Sequence, residues 1–166
     1  YVADYGSGLR VINVADPAAP AEVGFYNSSG FSQGVALAGS YAYVAGGDDG
    51  LQVVDITDPA DPQIVGSADT PYTALALALA GSYACVADGE GGLQVIDIAD
   101  PEHPQIVGSV VVAWIVTDVA TAGSYACIAA FHLTGGSFHV IDIADPASPQ
   151  IVGSLDLQYY IDHVTV

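Results

Sequence analysis

The feature that most constrains this chain is that it repeats itself. The phrase LRVINVADPAAPAEVG at 9–24 returns as LQVVDITDPADPQIVG at 51–66, LQVIDIADPEHPQIVG at 93–108 and FHVIDIADPASPQIVG at 138–153, at offsets of 42, 42 and 45 residues. A second phrase, GSYAYVA at 39–45, recurs at 81–87 and 123–129, and only Tyr1-Val2-Ala3 matches it in the first unit. A unit of this length is one supersecondary motif that cannot bury its own faces, so it must stack on its copies.

Each unit carries four strand signals. In the second, Gln33–Ala38 stops at Gly39-Ser40, and Tyr41–Ala45 runs into the turn Gly46-Gly47-Asp48-Asp49-Gly50. Leu51–Ile56 ends at Asp58-Pro59, and Gln63–Ser67 follows. Val, Ile and Tyr fill the runs while Gly, Pro and Asp punctuate them. The Asp-Pro breaks and paired glycines exclude helical repeats. The third run is apolar on both faces, which predicts a strand covered from both sides. The expected fold is all-β: a β-propeller of four blades, each of about 42 residues and four strands. The predicted units are 1–30, 31–72, 73–114 and 115–159. Residues 160–166 match a first strand and are expected to complete the first blade. Three closures fit the length: a four-bladed ring in one chain, part of a larger ring, or two chains making eight blades.

Composition bounds the setting. With 52% apolar and 12% charged residues the chain is not disordered. No apolar run approaches the ~18 residues of a membrane-spanning helix, so the chain reads as soluble, with no membrane insertion. Nineteen acids face a single base, Arg10, for a net charge of −18. Such a surface repels nucleic acid and anionic lipid, and it suits an extracellular medium whose salt screens self-repulsion. Cys85 and Cys127 occupy one repeat position, too far apart in neighbouring blades for a disulfide, and read as small buried residues. The chain opens at Tyr1 without methionine or signal peptide, which reads as processing or excision from something longer.

The repeated string [IV]-D-I-[AT]-D-P-x-x-P-Q-I-V-G-S resembles the LVIVD repeat, a propeller unit of bacterial and archaeal surface and secreted proteins. The residues that carry it are Val53-Val54-Asp55-Ile56-Thr57-Asp58-Pro59 with Pro62, Val65 and Gly66, and their counterparts in the other units. The first unit departs with Asn13 in place of Asp55, Asp97 and Asp142. The resemblance implies an adhesive or scaffold protein at the cell surface or outside the cell, with other protein chains, self-assembly included, as partners.

Several constellations are candidates for chemistry. The aspartates at and before each Asp-Pro pair suit turns in which the carboxylate accepts backbone N–H groups. The hairpin loops carry Asp48, Asp49, Asp88 and Glu90, which read first as tight-turn residues and second as weak calcium ligands; no other cofactor is indicated. In the last unit this loop lengthens to Phe131–Ser137, and such an insertion marks a binding face. The start of the first strand places Gly34, Ala76, Asp118 and His163 at one repeat position, preceded by Gln33 and Asp162 among others, with Phe31, Tyr72, Trp114, Tyr159 and Tyr160 just upstream. These unlike residues are expected to converge at one mouth of the propeller channel as a small-ligand or glycan site. Asp118 with His163 is the candidate acid–base pair of a third reading, a fragment of a propeller enzyme that also uses Asp162. No nucleophile motif or metal triad accompanies the pair, so the first expectation is a non-enzymatic interaction or structural module. His103 and His139 read as solvent-facing. Asn27 heads the sequon Asn27-Ser28-Ser29, a glycosylation candidate in an exported protein.

Overall fold

The computed structural model describes residues 1–166 as fifteen strands without a helix. The first sheet holds three, β1 (Val2–Asp4), β2 (Gly8–Asn13) and β3 (Ala21–Tyr26). Three four-stranded antiparallel sheets follow in chain order: β4 (Gly34–Ala38) to β5 (Tyr41–Ala45), β6 (Leu51–Asp55) and β7 (Gln63–Ala68); β8 (Ala76–Ala80) to β9 (Tyr83–Ala87), β10 (Leu93–Asp97) and β11 (Gln105–Val110); β12 (Ile115–Ala122) to β13 (Tyr125–His132), β14 (Gly135–Asp142) and β15 (Gln150–Leu157). The four sheets are the blades of a β-propeller, one per repeat.

Local chemistry explains the strand ends. The turn between the first two strands of blades 2, 3 and 4 holds Gly39, Gly81 and Gly123 at φ of +59°, +60° and +59°, a conformation open to glycine. After each third strand, Asn13, Asp55, Asp97 and Asp142 accept the N–H two residues on, at 2.8–2.9 Å. Asp16, Asp58, Asp100 and Asp145 do the same at 3.0–3.2 Å. The aspartates are therefore turn-forming residues, and Asn13 preserves the bond with an amide oxygen. Between the third and fourth strands every blade carries a β-bulge at the same place, between Val11/Ile12, Val53/Val54, Val95/Ile96 and Val140/Ile141. The repeated bulge bends each outer edge alike.

The core lies between blades. Leu9 packs with Ala42, Val44, Val54 and Ile56 of blade 2. Leu51 and Val53 pack with Ala84, Val86, Ile96 and Ile98 of blade 3. Leu93 and Val95 pack with Ile128, Ile141 and Ile143 of blade 4. Each third strand thus sends alternate side chains forward to the next blade and backward to the preceding one, and both sets must be apolar. Cys85 and Cys127 are buried free thiols in this packing, and burial pushes the Cys85 thiol up to about 12.

Three expectations are corrected. Residues 160–166 form no strand and do not complete the first blade; they follow blade 4 and stay beside it, where Asp118 and Phe131 hold them. The lengthened segment 131–137 is no open loop. Its extra residues pair as Phe131 with Gly136 and His132 with Gly135, which extends the hairpin and leaves only Leu133-Thr134 to turn. His139 is buried, with Nε2 at 2.9 Å from the Ser137 hydroxyl and Nδ1 at 2.8 Å from that of Ser154. It occupies the repeat position of Gln52 and Gln94, both buried polar residues. His103 is exposed as expected, with Nδ1 3.1 Å from Asp100.

Candidate functional site

The hairpins between second and third strands meet the linkers that join one blade to the next, and their carboxylates are engaged there. Asp49 accepts bonds from the Gly30 N–H at 2.6 Å, the Ser29 hydroxyl at 2.7 Å and Gln52 Nε2 at 3.3 Å. Asp88, fully buried, accepts the Tyr72 N–H at 3.2 Å. Gly30 and Tyr72 are one repeat position, so the same linker N–H is satisfied by a carboxylate delivered from two different hairpin positions. Gly91 stands where Asp49 stands one blade earlier, and a Cβ there would collide with the Asp88 carboxylate. Burial raises the Asp88 pKa, opposed by hydrogen bonds from Thr70 and Tyr72. Asp48 instead accepts the Thr73 hydroxyl at 3.1 Å, across to the next linker. Glu90 is exposed. Three of the four carboxylates considered for calcium therefore serve separate hydrogen-bond partners, and no three acidic, histidine or cysteine side chains share a metal-holding centre.

Of the aromatic residues predicted to converge, Phe31 and Tyr72 share one cleft, Trp114 lines another, and Tyr159 and Tyr160 line neither. One, of about 550 Å³, brings together Phe31, Gln33, Tyr72 and Leu75 with Tyr5 and, on its acidic side, Asp48 and Glu90. The other, of about 380 Å³, holds Trp114 against Val112, Phe131 and His132, with Glu90 on its rim. The Trp114 ring stacks on His132 with centroids 3.2 Å apart. Both volumes lie in the range of small-ligand sites, roughly 300–1,000 Å³.

Sequence reasoning missed Tyr5 and named Phe131 only as the start of the lengthened loop. The two share the repeat position of Gly47 and Gly89, so a register comparison across all four hairpins was the available signal. Tyr5 stacks on Phe31 at 4.6 Å, and Phe131 meets Tyr160 edge-on at 5.7 Å. Phe31 and Tyr160 are themselves equivalent, so one contact is made at both ends of the chain.

Asp118 and His163 do approach, with Nδ1 3.5 Å from Oδ2, but the same Oδ2 accepts the Val164 N–H at 2.8 Å. The carboxylate is half-buried and holds the following segment, while the imidazole is exposed. Asp162 is exposed and lies outside this pair. Asn27 is exposed on the linker after β3, and Ser29 of its sequon is bonded to Asp49.

A second surface lies on the two outer blades. Val2 and Val14 of blade 1 are 48% and 64% exposed, whereas their equivalents in blade 2, Val44 and Ile56, are 1% and 8% exposed. On blade 4, Leu155 is 57% exposed against 8% for its equivalent Ala68, and Phe138 and Val140 are only half-buried where Leu51, Val53, Leu93 and Val95 are fully buried. Arg10 lies over the Phe25 ring at 5.0 Å and pairs with Asp4 and Glu22 at 3.4 and 3.6 Å, so the one cation is neutralised within its own blade.

Among solved structures, the computationally designed Ika8 protein matches 96% of this chain with a TM-score of 0.74 at 16% identity. The designed Ika4 protein matches 82% of it with a TM-score of 0.66, also at 16% identity. The chain covers 80% of Ika4 but only 46% of Ika8, less than half the length of the latter. At this identity the likeness concerns the fold alone. No curated protein matches the chain. The sequence pattern of the LVIVD repeat matches four times, at residues 1–28, 29–70, 73–112 and 115–157, in step with the four sheets. With nearly every residue inside one of those matches, the chain belongs to the LVIVD-repeat family.

Proposed function

We propose that this protein is a non-enzymatic interaction and structural module of the cell surface or extracellular space, one subunit of a larger assembly. One observation carries the reading: side chains that are core in the inner blades stand exposed on both outer faces, at Val2 and Val14 and at Leu155. Contiguous apolar sheet faces left in water are interaction surfaces. The acidic, lysine-free surface supports a saline medium outside the cell. The test is sedimentation of the wild type beside a Val14→Glu, Leu155→Glu variant. The reading expects a wild-type mass and melting point that rise together with concentration above 16.8 kDa, and a variant that stays at 16.8 kDa with the melting point of the dilute wild type. Equal masses in both refute it, and a variant that melts below the dilute wild type means that the faces are already covered within the chain.

A second reading, a small-ligand or glycan site, is favoured by the two aromatic clefts. Apolar walls with a few acidic groups suit the faces and hydroxyls of a neutral sugar. Trp114 is the sole tryptophan and reports directly on its cleft. Titration with neutral oligosaccharides is expected to change its fluorescence saturably, and to lose that change in Phe131→Ala; a flat titration removes the reading.

A further inference from the structure

We propose that the wider cleft is a site for an organic cation: an alkylated ammonium group held between the faces of Tyr5, Phe31 and Tyr72 and the carboxylates of Asp48 and Glu90. The inference takes its site from the small-ligand reading above and replaces the neutral sugar in that cleft by a charged occupant.

The cleft is built at junctions inside the chain. Phe31 and Tyr72 lie on the linkers into blades 2 and 3, and Tyr5, Asp48 and Glu90 come from the hairpins of blades 1, 2 and 3. The backbone beneath them is fixed. The Tyr72 N–H is bonded to the buried Asp88 carboxylate, and Gly47 exchanges hydrogen bonds with Ala74 of the next linker at 2.9 and 3.1 Å. The hairpin approaches the other linker so closely that a Cβ on Gly47 would stand 2.9 Å from the Phe31 carbonyl oxygen. A site preformed in this way loses little to ordering when a ligand enters.

Charge and surface then select the occupant. Tyr5, Phe31 and Tyr72 are 58%, 48% and 52% exposed, so three large rings stand half in water around one space. A ring face is electronegative and attracts a cation within about 6 Å of its centroid. Asp48 and Glu90 occupy one repeat position on consecutive hairpins, and both line the cleft. Asp48 accepts the Thr73 hydroxyl through Oδ1, and neither carboxylate enters an ion pair. Arg10, the one Lys or Arg side chain, is engaged by Asp4 and Glu22 in blade 1. The net charge of −18 raises the local concentration of cations further. A calcium ion needs about six to eight oxygens around one point, which two carboxylates among rings do not offer. A primary ammonium brings three N–H donors to walls with few acceptors. A quaternary ammonium brings none, so no donor is stranded, and its methyl groups pack on the rings while its charge faces their π clouds.

The experiment titrates the full chain with choline chloride at constant ionic strength, beside its uncharged isostere in which a tert-butyl group replaces trimethylammonium. The methyl proton resonance of each probe is followed by NMR, because ring faces move it upfield. Expected are a saturable upfield shift with choline and an affinity for the isostere lower by about tenfold. Tyr72→Leu, which keeps the net charge, is expected to lose a similar factor. Glu90→Gln, at an exposed position outside every ion pair, is expected to weaken choline several-fold at an unchanged melting point, and it decides the matter if Tyr72→Leu melts early. A shift that climbs without saturating, alike in wild type and variants, is a diffuse counter-ion cloud and overturns the site. Saturable binding that is equally tight in both variants overturns the assignment of these residues. Equal affinity for choline and its isostere overturns recognition of charge and leaves the small-ligand reading standing. So does a silent choline titration where neutral oligosaccharides still change the Trp114 fluorescence. Silence toward all three probes removes both.

Discussion

Asp88 offers a way to separate a hydrogen bond from a charge in the wall between two blades. Its carboxylate is fully buried and is the acceptor for the Tyr72 N–H. Asp88→Ala leaves that donor without an acceptor inside the protein. A stranded buried N–H costs about 1–3 kcal/mol. At about 2–4 °C per kcal/mol for a chain of this size, a loss of about 2 kcal/mol lowers the melting point by roughly 4–8 °C. Asp88→Asn keeps an acceptor oxygen and removes the charge. Because burial holds the folded pKa above the ordinary value of 3.8, the contribution of Asp88 is fully present below that value and is lost as pH rises through the folded one. At neutral pH the wild type thus bears a penalty that the amide does not. The expected order of melting points at pH 7 is Asn at or above wild type and Ala well below, with the Asn advantage shrinking on acidification. Thermal melts followed by circular dichroism from pH 7 to pH 4 measure both quantities. If Asn falls as far as Ala at pH 7, the charge itself holds the linker and the reasoning is wrong.

Other outcomes are equally open to measurement. Leu93→Ala empties a fully buried position between blades 3 and 4 and is expected to cost about 2–5 kcal/mol, read from denaturant unfolding. Raising salt from 10 to 150 mM is expected to raise the melting point, because the net charge of −18 repels itself over a screening length that falls from about 30 to about 8 Å. His139 has a pKa held below 6.5, chiefly by burial, against the opposing charge of Asp156. Its contribution is present above 6.5 and lost as pH falls through the lowered value, so His139→Gln is expected to flatten the melting profile between pH 7.5 and 5.

The blades were legible because the same side chains recur where the same contacts recur. Leu51 and Val54 had to be covered on opposite faces, and the only repeated surfaces available were neighbouring units. The aspartate turns were legible for the same reason, down to the Asn13 exception. His139 was not, because a lone histidine in a strand looks exposed until it is aligned with Gln52 and Gln94, whose position is buried and polar. The mouth was legible only in composition. Phe31 and Tyr72 do share a cleft, but Trp114 turns away to stack on His132, a pairing set by the lengthened β13–β14 hairpin and invisible in residue spacing. Asp118 and His163 lie 3.5 Å apart, wider than an acid–base pair needs, and the carboxylate is a positioning group for the segment that follows.

Departures from the repeat fall into two kinds, and the difference locates function. Asn13 for aspartate, Asp88 in place of Asp49, and histidine for glutamine at 139 each change the residue while keeping a polar partner satisfied. Substitutions of that kind record only that several side chains solve one packing problem. At the mouth no shared bond is preserved: Phe31, Thr73, Ile115 and Tyr160 stand at one position with unlike neighbours, and Trp114 has no aromatic equivalent beyond Tyr72 and Tyr159. The third group is the reverse case, residues kept although nothing inside the chain demands them. Val14 retains the apolar character of Ile56, Ile98 and Ile143 while lying in water, and Gly153 retains the absence of a side chain where a side chain would fit. A solvated valine gains nothing from its methyl groups. A substitution at Val14 therefore weighs the proposed assembly directly, because only a contact with another surface would make that residue stabilising.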